Sequence, residues 1–134
     1  MIFVDSNVVI DLIEDGEWTG WSKRTLSRAA ETLLVTNHIV FAEVSRAFGS
    51  PGAVLVFFGE LGIAIEPFTP DSAFRAGRAL ADYRLSGGRH SVILADFLIG
   101  AHAVCLGADL VTRDRRRFAT YFSELTLITP ETHP

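Results

Sequence analysis

The sequence has little of several features that mark common protein classes. It contains one cysteine, Cys105, so neither a disulfide framework nor a cysteine-based zinc site can form within the chain. Its net charge of −4 argues against a broad basic surface for nucleic acids. No linker, low-complexity tract or internal repeat divides the chain. We therefore expect one compact domain over residues 1–134.

Long hydrophobic runs are also missing. The N-terminus lacks the charged start and apolar core that direct secretion. The longest apolar helical stretch, 91–106, carries Asp96 and His102 and is too short to span a bilayer. We expect a soluble, cytoplasmic protein with no membrane partner.

Short apolar runs alternate with longer helical patterns along the chain. The runs of strand length are 1–4, 33–35, 63–65, 110–112 and 125–128. The helical patterns are 8–15, 18–31, 38–48, 53–61, 70–85 and 91–106. Apolar strands that alternate with helices are typical of a parallel sheet whose two faces are both covered. The pattern predicts an α/β fold of three layers, α/β/α, with a central parallel sheet.

Four acidic residues lie inside or at the end of apolar stretches, where an unpaired charge is costly to bury. They are Asp5, Glu43, Asp96 and Asp114. Asp96 lies in the helical stretch 91–106, which has no polar face, so its carboxylate is expected to point inward and to need a cation.

The predicted strands place two of these acids at the same edge of the sheet. Asp5 directly follows the first strand, and Asp114 follows the fourth. Ligands of open α/β sheets bind at this carboxyl edge. Asp109 begins the strand that Asp114 follows, which places it at the opposite edge and excludes it from the site.

Glu43 lies beside the buried stripe of its helix, from which its carboxylate can reach over the sheet edge. The alternative is a solvated glutamate paired with Arg46. The other acids favour a shared site, because Mg²⁺ and Mn²⁺ prefer clustered carboxylate oxygens. We expect Asp5, Asp96 and Asp114 to be metal ligands, with Glu43 completing the shell or positioning an attacking water.

Short polar residues and a basic run accompany the acids. The short polar residues are Ser6, Asn7 and Thr112, which suit hydrogen bonds to metal ligands, substrate contact, or turn and helix-cap roles. The basic run consists of Arg113, Arg115, Arg116 and Arg117. It interrupts an acidic chain beside the predicted site, which favours contact with phosphates over a merely solvated face.

Other residues keep more than one interpretation. Trp18 and Trp21 are either core residues or part of a surface for a partner or a second subunit. His90 either caps a helix or touches substrate, whereas His102 is expected to be a core histidine. Asp11 is expected on the exposed face of the first helix.

Taken together, these motifs resemble the PIN-domain family and, within it, the VapC-type toxins of bacterial toxin–antitoxin pairs. The resemblance rests on Asp5-Ser6-Asn7, on Glu43 and Asp96, and on Thr112-Arg113-Asp114 with Phe118. It implies a sheet ordered 3-2-1-4-5 and metal-dependent cleavage of RNA by the four acids. It also implies a homodimer and neutralisation by a small, VapB-like antitoxin.

Two other functions remain open. A haloacid-dehalogenase-like phosphatase also places an aspartate after its first strand, but its second aspartate is replaced here by Asn7. A receiver-type signalling domain, which is not an enzyme, needs a late lysine, and the only lysine is Lys23. Neither alternative explains Glu43 and Asp96 together.

Overall fold

The computed structural model describes residues 1–89 and 94–134. These residues contain one sheet of five parallel strands, ordered β3-β2-β1-β4-β5. The strands are β1 (Ile2–Val4), β2 (Leu34–Thr36), β3 (Ile63–Ile65), β4 (Asp109–Val111) and β5 (Leu127–Ile128). The predicted parallel sheet and its order are confirmed.

Helices connect the strands and cover the sheet. They are α1 (Ser6–Ile13), α2 (Thr19–Arg28), α3 (His38–Val44), α4 (Pro51–Glu60), α5 (Pro70–Leu85), α6 (Ala95–Leu106) and α7 (Arg116–Tyr121), with a 3-10 turn at Ser45–Ala47. The strand order reverses direction after β3, and right-handed crossovers then place α1 to α4 on one face and α5 to α7 on the other. The reversal leaves a crevice at the carboxyl ends of β1 and β4.

Capping residues fix where several of these helices begin. The Asp5 carboxylate accepts the Ser6 backbone N–H at the start of α1. The Asn37 side-chain oxygen accepts two backbone N–H groups at the start of α3. Side-chain oxygens of this kind satisfy helix donors that have no partner within the helix. The starts of α1, which follows Asp5, and of α3, which carries Glu43, are therefore set by local chemistry at the sheet edge.

The core lies between the sheet and its helices and contains His102. Phe3 and Leu110 of the central strands are fully buried, as is His102. Because the Asn37 oxygen caps α3, its amide nitrogen faces His102 and donates to Nδ1 over 3.1 Å. Burial lowers the pKa of His102 and favours the neutral ring. His102 thus joins the start of α3 to the middle of α6.

Several expectations differ from the structure. A helix is expected over 38–48, but the α-helix ends at Val44 and a 3-10 turn follows it. The sequence pattern does not predict α7. The helix expected over 91–106 begins at Ala95, after Leu94 in an extended conformation. His90 and the expected start at 91–93 lie outside the described residues.

Of the two tryptophans, Trp21 is resolved in favour of packing. Trp21 is 5% exposed, and its indole N–H donates to the His133 backbone oxygen over 2.7 Å. Trp18 is partly buried against the same core. Trp21 therefore offers no free surface for a partner, and that part of the interface hypothesis is wrong.

A helix needs about 20 consecutive apolar residues to cross a bilayer. Among the described residues, no single helix is long and apolar enough to cross one. The helices His38–Ala47 and Pro51–Glu60 reach the required length and composition only when taken together, and the chain bends by 108° between them.

Gly100 determines how closely the segment around α7 approaches α6. A Cβ atom at Gly100 would lie 2.5 Å from two ring carbons of Phe122, which is fully buried just after α7. Real Cβ atoms do not come this close to carbon, so the glycine permits the contact. Asp96 lies one helical turn before Gly100 on the same face of α6. The close packing therefore also brings α7 next to Asp96.

We predict that Gly100→Ala destabilises the protein, whereas Gly77→Ala does not. Overpacking costs about 1–3 kcal/mol, which exceeds the roughly 1 kcal/mol that alanine gains over glycine inside a helix. Gly77 is exposed on α5 with nothing near its Cβ position. Alanine there gains helix propensity without causing overpacking. Urea unfolding of both variants measures the difference, and equal stability of the two would contradict the packing account.

Candidate active site

Asp5 is the most buried of the four acids, at 3% exposure. It directly follows β1, and its backbone N–H donates to the Val111 oxygen of β4. Its carboxylate accepts hydrogen bonds from the Ser6 backbone N–H at 2.7 Å, the Thr112 hydroxyl at 2.7 Å and the Asn7 side-chain amide at 3.2 Å. Three donors from two separate chain segments therefore fix its orientation.

Asn7 and Thr112 extend this network to the segment that carries Asp114. The Asn7 amide nitrogen also donates to the Thr112 hydroxyl, and its oxygen accepts the Arg113 backbone N–H over 3.1 Å. The Thr112 hydroxyl oxygen in turn accepts the Asp114 backbone N–H over 3.1 Å. The structure thus brings Ser6, Asn7 and Thr112 together around Asp5 and ties Asp114 to the same group.

Electrostatic coupling links the four acids. The pKa of Asp5 is raised to about 7, mainly by burial and in addition by the charges of Asp96 and Glu43, against hydrogen bonds from Thr112 and Ser6 that lower it. Burial raises the pKa of Glu43, the Asp96 charge adds to this, and the Ser6 hydroxyl opposes it. A carboxylate whose pKa is shifted by the charges of other acids lies close to those acids, so these acids share one region.

Asp96 links Asp114 to the same region. Burial raises the pKa of Asp96 and the Asp114 charge raises it further, whereas Arg117 lowers it. The Asp96 side chain is 33% exposed, so the expectation that it points fully inward is wrong. Glu43 and Asp114 are exposed as well. The four acids therefore run from a buried carboxylate at the sheet edge to exposed ones at the rim.

The cation expected at Asp96 comes from the chain itself. The Arg117 Nη1 atom lies 3.0 Å from the Asp96 Oδ2 atom. The Arg117 guanidinium also lies 5.9 Å from the centre of the Tyr83 ring and 5.7 Å from that of Phe97. Arg117 reaches Asp96 because α7 packs against α6. The basic run indicated arginines at the site but not which of them pairs with an acid.

Arg113 has a different role from the one expected. Its Nε atom lies 2.8 Å from the Asp11 Oδ2 atom, which also accepts the Ser22 hydroxyl over 2.6 Å. Asp11 is 7% exposed, so the expectation of an exposed face at this position is wrong. The ion pair fastens the segment after β4 to α1 and α2. The Arg113 guanidinium is accordingly engaged away from the four acids.

The remaining arginines of the run separate as well. Near the C-terminus, hydrogen bonds to Thr129 and to its own backbone lower the pKa of the exposed Glu131 carboxylate, and the charge of Arg115 lowers it a little more. Arg116 lines a cleft of about 330 Å³ whose other lining residues are Tyr83, Asp96, Asp114, Arg117, Thr120 and Tyr121. This cleft combines carboxylates, guanidinium groups and tyrosine rings beside the acid cluster.

The donor set of the cluster suits a hard divalent cation. Its ligating atoms are carboxylate oxygens, and the pKa values of Asp5, Glu43 and Asp96 are raised first by burial and then by the charges of neighbouring acids. Within residues 1–89 and 94–134, no three acidic, histidine or cysteine side chains are close enough to enclose an ion as they stand. Side-chain rotations that bring the carboxylates together and separate Asp96 from Arg117 are therefore needed to form such a site.

Comparisons with solved structures place the fold. The chain is similar to VapBC2 from Rickettsia felis bound to a promoter DNA fragment, with a TM-score of 0.74 and 20% sequence identity. The match covers 96% of this chain and 98% of the other. It is similar to a toxin–antitoxin complex from Klebsiella pneumoniae, with a TM-score of 0.66 and 23% sequence identity. This match covers 97% of this chain and 98% of the other. It is also similar to VapC20 of Mycobacterium tuberculosis, a toxin that cleaves the sarcin–ricin loop, with a TM-score of 0.65 and 20% sequence identity. This match covers 94% of this chain and 99% of the other. These identities show a shared fold.

Comparison with curated protein sequences gives no match. The sequence profile of the PIN domain matches residues 2–122. This range contains all four acids, the Asp5-Ser6-Asn7 and Thr112-Arg113-Asp114 segments, and every strand except β5. The chain therefore belongs to the PIN-domain family.

Proposed function

We propose that this protein is a metal-dependent endoribonuclease toxin of the VapC type, formed by a single domain over residues 1–134 and acting in the cytoplasm. The observation that carries the proposal is the electrostatically coupled group of Asp5, Glu43, Asp96 and Asp114 at the carboxyl edge of a PIN-domain sheet. The likeness to VapC20, a toxin that cleaves the sarcin–ricin loop, supports RNA as the substrate class.

In this proposal, the acids hold Mg²⁺ or Mn²⁺. Asp5, Asp96 and Asp114 bind the ion directly or through water, and Glu43 completes the shell or orients the attacking water. When bound, the ion stabilises charge on the phosphate and increases the acidity of a bound water. Thr112, Asn7 and the Ser6 backbone keep the Asp5 carboxylate in one orientation, as hydrogen-bonded metal ligands require. Arg116 is placed in the adjoining cleft, where it can contact phosphate oxygens.

The alternatives fit the structure less well. A receiver-type domain has the sheet order 2-1-3-4-5, whereas this sheet is ordered 3-2-1-4-5. A phosphatase that forms a phosphoaspartate needs an accessible nucleophile, but Asp5 is 3% exposed and bonded to three donors. The hydrolytic, metal-dependent scheme accounts for all four acids.

The first prediction concerns RNA cleavage. Expression of the chain alone should arrest growth, and Asp5→Asn, Asp96→Asn and Asp114→Asn should each reduce cleavage at least about 100-fold, because each removes a charged ligand. Asp109→Asn is the matched control, because it makes the same change at the opposite end of β4 and should leave cleavage intact. Sequencing of RNA 5′ ends after brief expression measures the effect.

Melting curves would show whether each of these variants is folded. A folded variant of Asp5, Asp96 or Asp114 that retains full cleavage would remove that residue from the site. Trapping of a phosphoaspartate at Asp5 would instead revive the phosphatase alternative.

The second prediction follows from the pKa of Asp5, which is about 7 in the metal-free protein. A metal ligand must lose its proton, so the apparent affinity for Mn²⁺ should fall by up to about tenfold per pH unit below pH 7. Above the raised pKa, this dependence should level off. Titration calorimetry at several pH values measures the affinity, and repetition in buffers of different ionisation enthalpy measures the protons released. An affinity independent of pH between 5 and 7 would exclude Asp5 as a ligand.

The third prediction concerns partners. The complex from Klebsiella pneumoniae contains a toxin and an antitoxin, which supports a small VapB-like antitoxin for this chain. Co-expression with a neighbouring reading frame for a small DNA-binding protein should restore growth and yield a stable complex on gel filtration. Continued RNA cleavage at equal expression would contradict that assignment. The resemblance further implies a homodimer, which sedimentation of the purified chain would detect.

A further inference from the structure

Arg117 is the member of the basic run that pairs with a proposed metal ligand. The contact is a single one, from Nη1 to Asp96 Oδ2 over 3.0 Å. In the described part of the chain, no other hydrogen bond of this guanidinium is seen. A guanidinium has five N–H donors, so most of its donor capacity is left for another acceptor.

The surroundings hold this guanidinium beside the cleft. The rings of Tyr83 and Phe97 lie within 6 Å of it, a range in which aromatic faces attract cations. The Arg117 side chain is 35% exposed, so its outer donors reach solvent. The rings would keep the guanidinium beside the cleft after its bond to Asp96 is broken.

Divalent metal and Arg117 compete for the same carboxylate. Both are cations, and a metal ion bound to Asp96 repels a guanidinium 3.0 Å from that carboxylate. Metal binding therefore weakens the pair. The cleft that Arg117 then faces also contains Arg116, Thr120 and Tyr121. A planar guanidinium in such a cleft matches the geometry of phosphate oxygens.

We propose that Arg117 exchanges partners during function: it neutralises Asp96 in the metal-free protein and binds an RNA phosphate once Asp96 holds the metal. This inference rests on the proposed ribonuclease function. It assigns the chain a substrate-binding arginine and makes metal binding and RNA binding support each other. Such coupling arises because each ligand removes a competitor of the other.

The test compares Arg117→Met with Arg115→Met in the full chain. Methionine keeps an unbranched side chain and a similar helix propensity but removes the guanidinium and its charge. Arg115→Met makes the same change on the side of the segment that faces Glu131. Melting curves with chelator establish that both variants are folded.

The expected result is a pair of effects of opposite sign. Arg117→Met should bind Mn²⁺ about tenfold more tightly in calorimetry, because the competitor is gone. It should also raise the KM for an RNA carrying the mapped cleavage site about tenfold, because a phosphate contact is lost. Arg117→Lys should restore part of the KM. Arg115→Met should change both quantities much less.

Other results would overturn the proposal. Weaker Mn²⁺ binding by Arg117→Met would mean that Arg117 orients Asp96 for the metal, and unchanged Mn²⁺ binding would mean no competition. Tighter Mn²⁺ binding with unchanged KM would remove the phosphate contact, and equal effects of Arg115→Met would indicate a general charge effect. If neither the wild type nor Arg117→Met binds Mn²⁺, the proposed metal dependence fails as well. If the wild type binds Mn²⁺ but cleaves no RNA, the proposed function fails and the phosphate contact with it.

Discussion

The hydrogen bond between Thr112 and Asp5 joins two segments that are 107 residues apart in the sequence. It forms because β1 and β4 are neighbouring parallel strands, paired through Val4 and Val111. The Thr112 hydroxyl also holds the Asp114 backbone, so one side chain fixes two of the four acids relative to each other. Because α6 packs against β4 and α7 packs against α6, Asp96 and Arg117 are positioned relative to this junction. A buried carboxylate at this junction is stable only with such donors, a proton or a cation.

The charge balance of the site is resolved locally. The chain is acidic overall, yet its basic run flanks Asp114 on both sides. The fold sends these arginines in different directions: Arg113 to Asp11 and Arg117 to Asp96. One pair fastens the framework, and the other neutralises the rim of the acid cluster. Under the proposed function, this second pair is exchangeable, because the metal takes over Asp96 and an RNA phosphate takes over Arg117.

Much of the fold and the location of the acids could be predicted from the sequence. Strand ends place Asp5 and Asp114 at one edge of a parallel sheet and Asp109 at the other, because side chains that follow strands collect at the carboxyl edge. The order of the strands came from the resemblance to a family and not from periodicity. The short helix α7 was missed because it has six residues, of which only Phe118 is buried, too few to give a helical period. Asp11 was assigned to solvent because its partner Arg113 is 102 residues away, so no local pattern reveals the pair. The exposure of Asp96 was misjudged because a helical wheel shows which way a side chain points but not that the neighbouring surface opens into a cleft.

The central claim is that the acids at the carboxyl edge of β1 and β4 form a divalent metal site from which Arg117 must withdraw. Anomalous diffraction from crystals soaked in Mn²⁺ tests this claim most directly, because it locates the ion without reference to activity. The account predicts an anomalous peak bonded to the carboxylates of Asp5 and Asp96, with the Arg117 guanidinium moved off Asp96. A fully occupied Mn²⁺ elsewhere on the protein, with none at this edge and the Arg117–Asp96 pair intact, would contradict it.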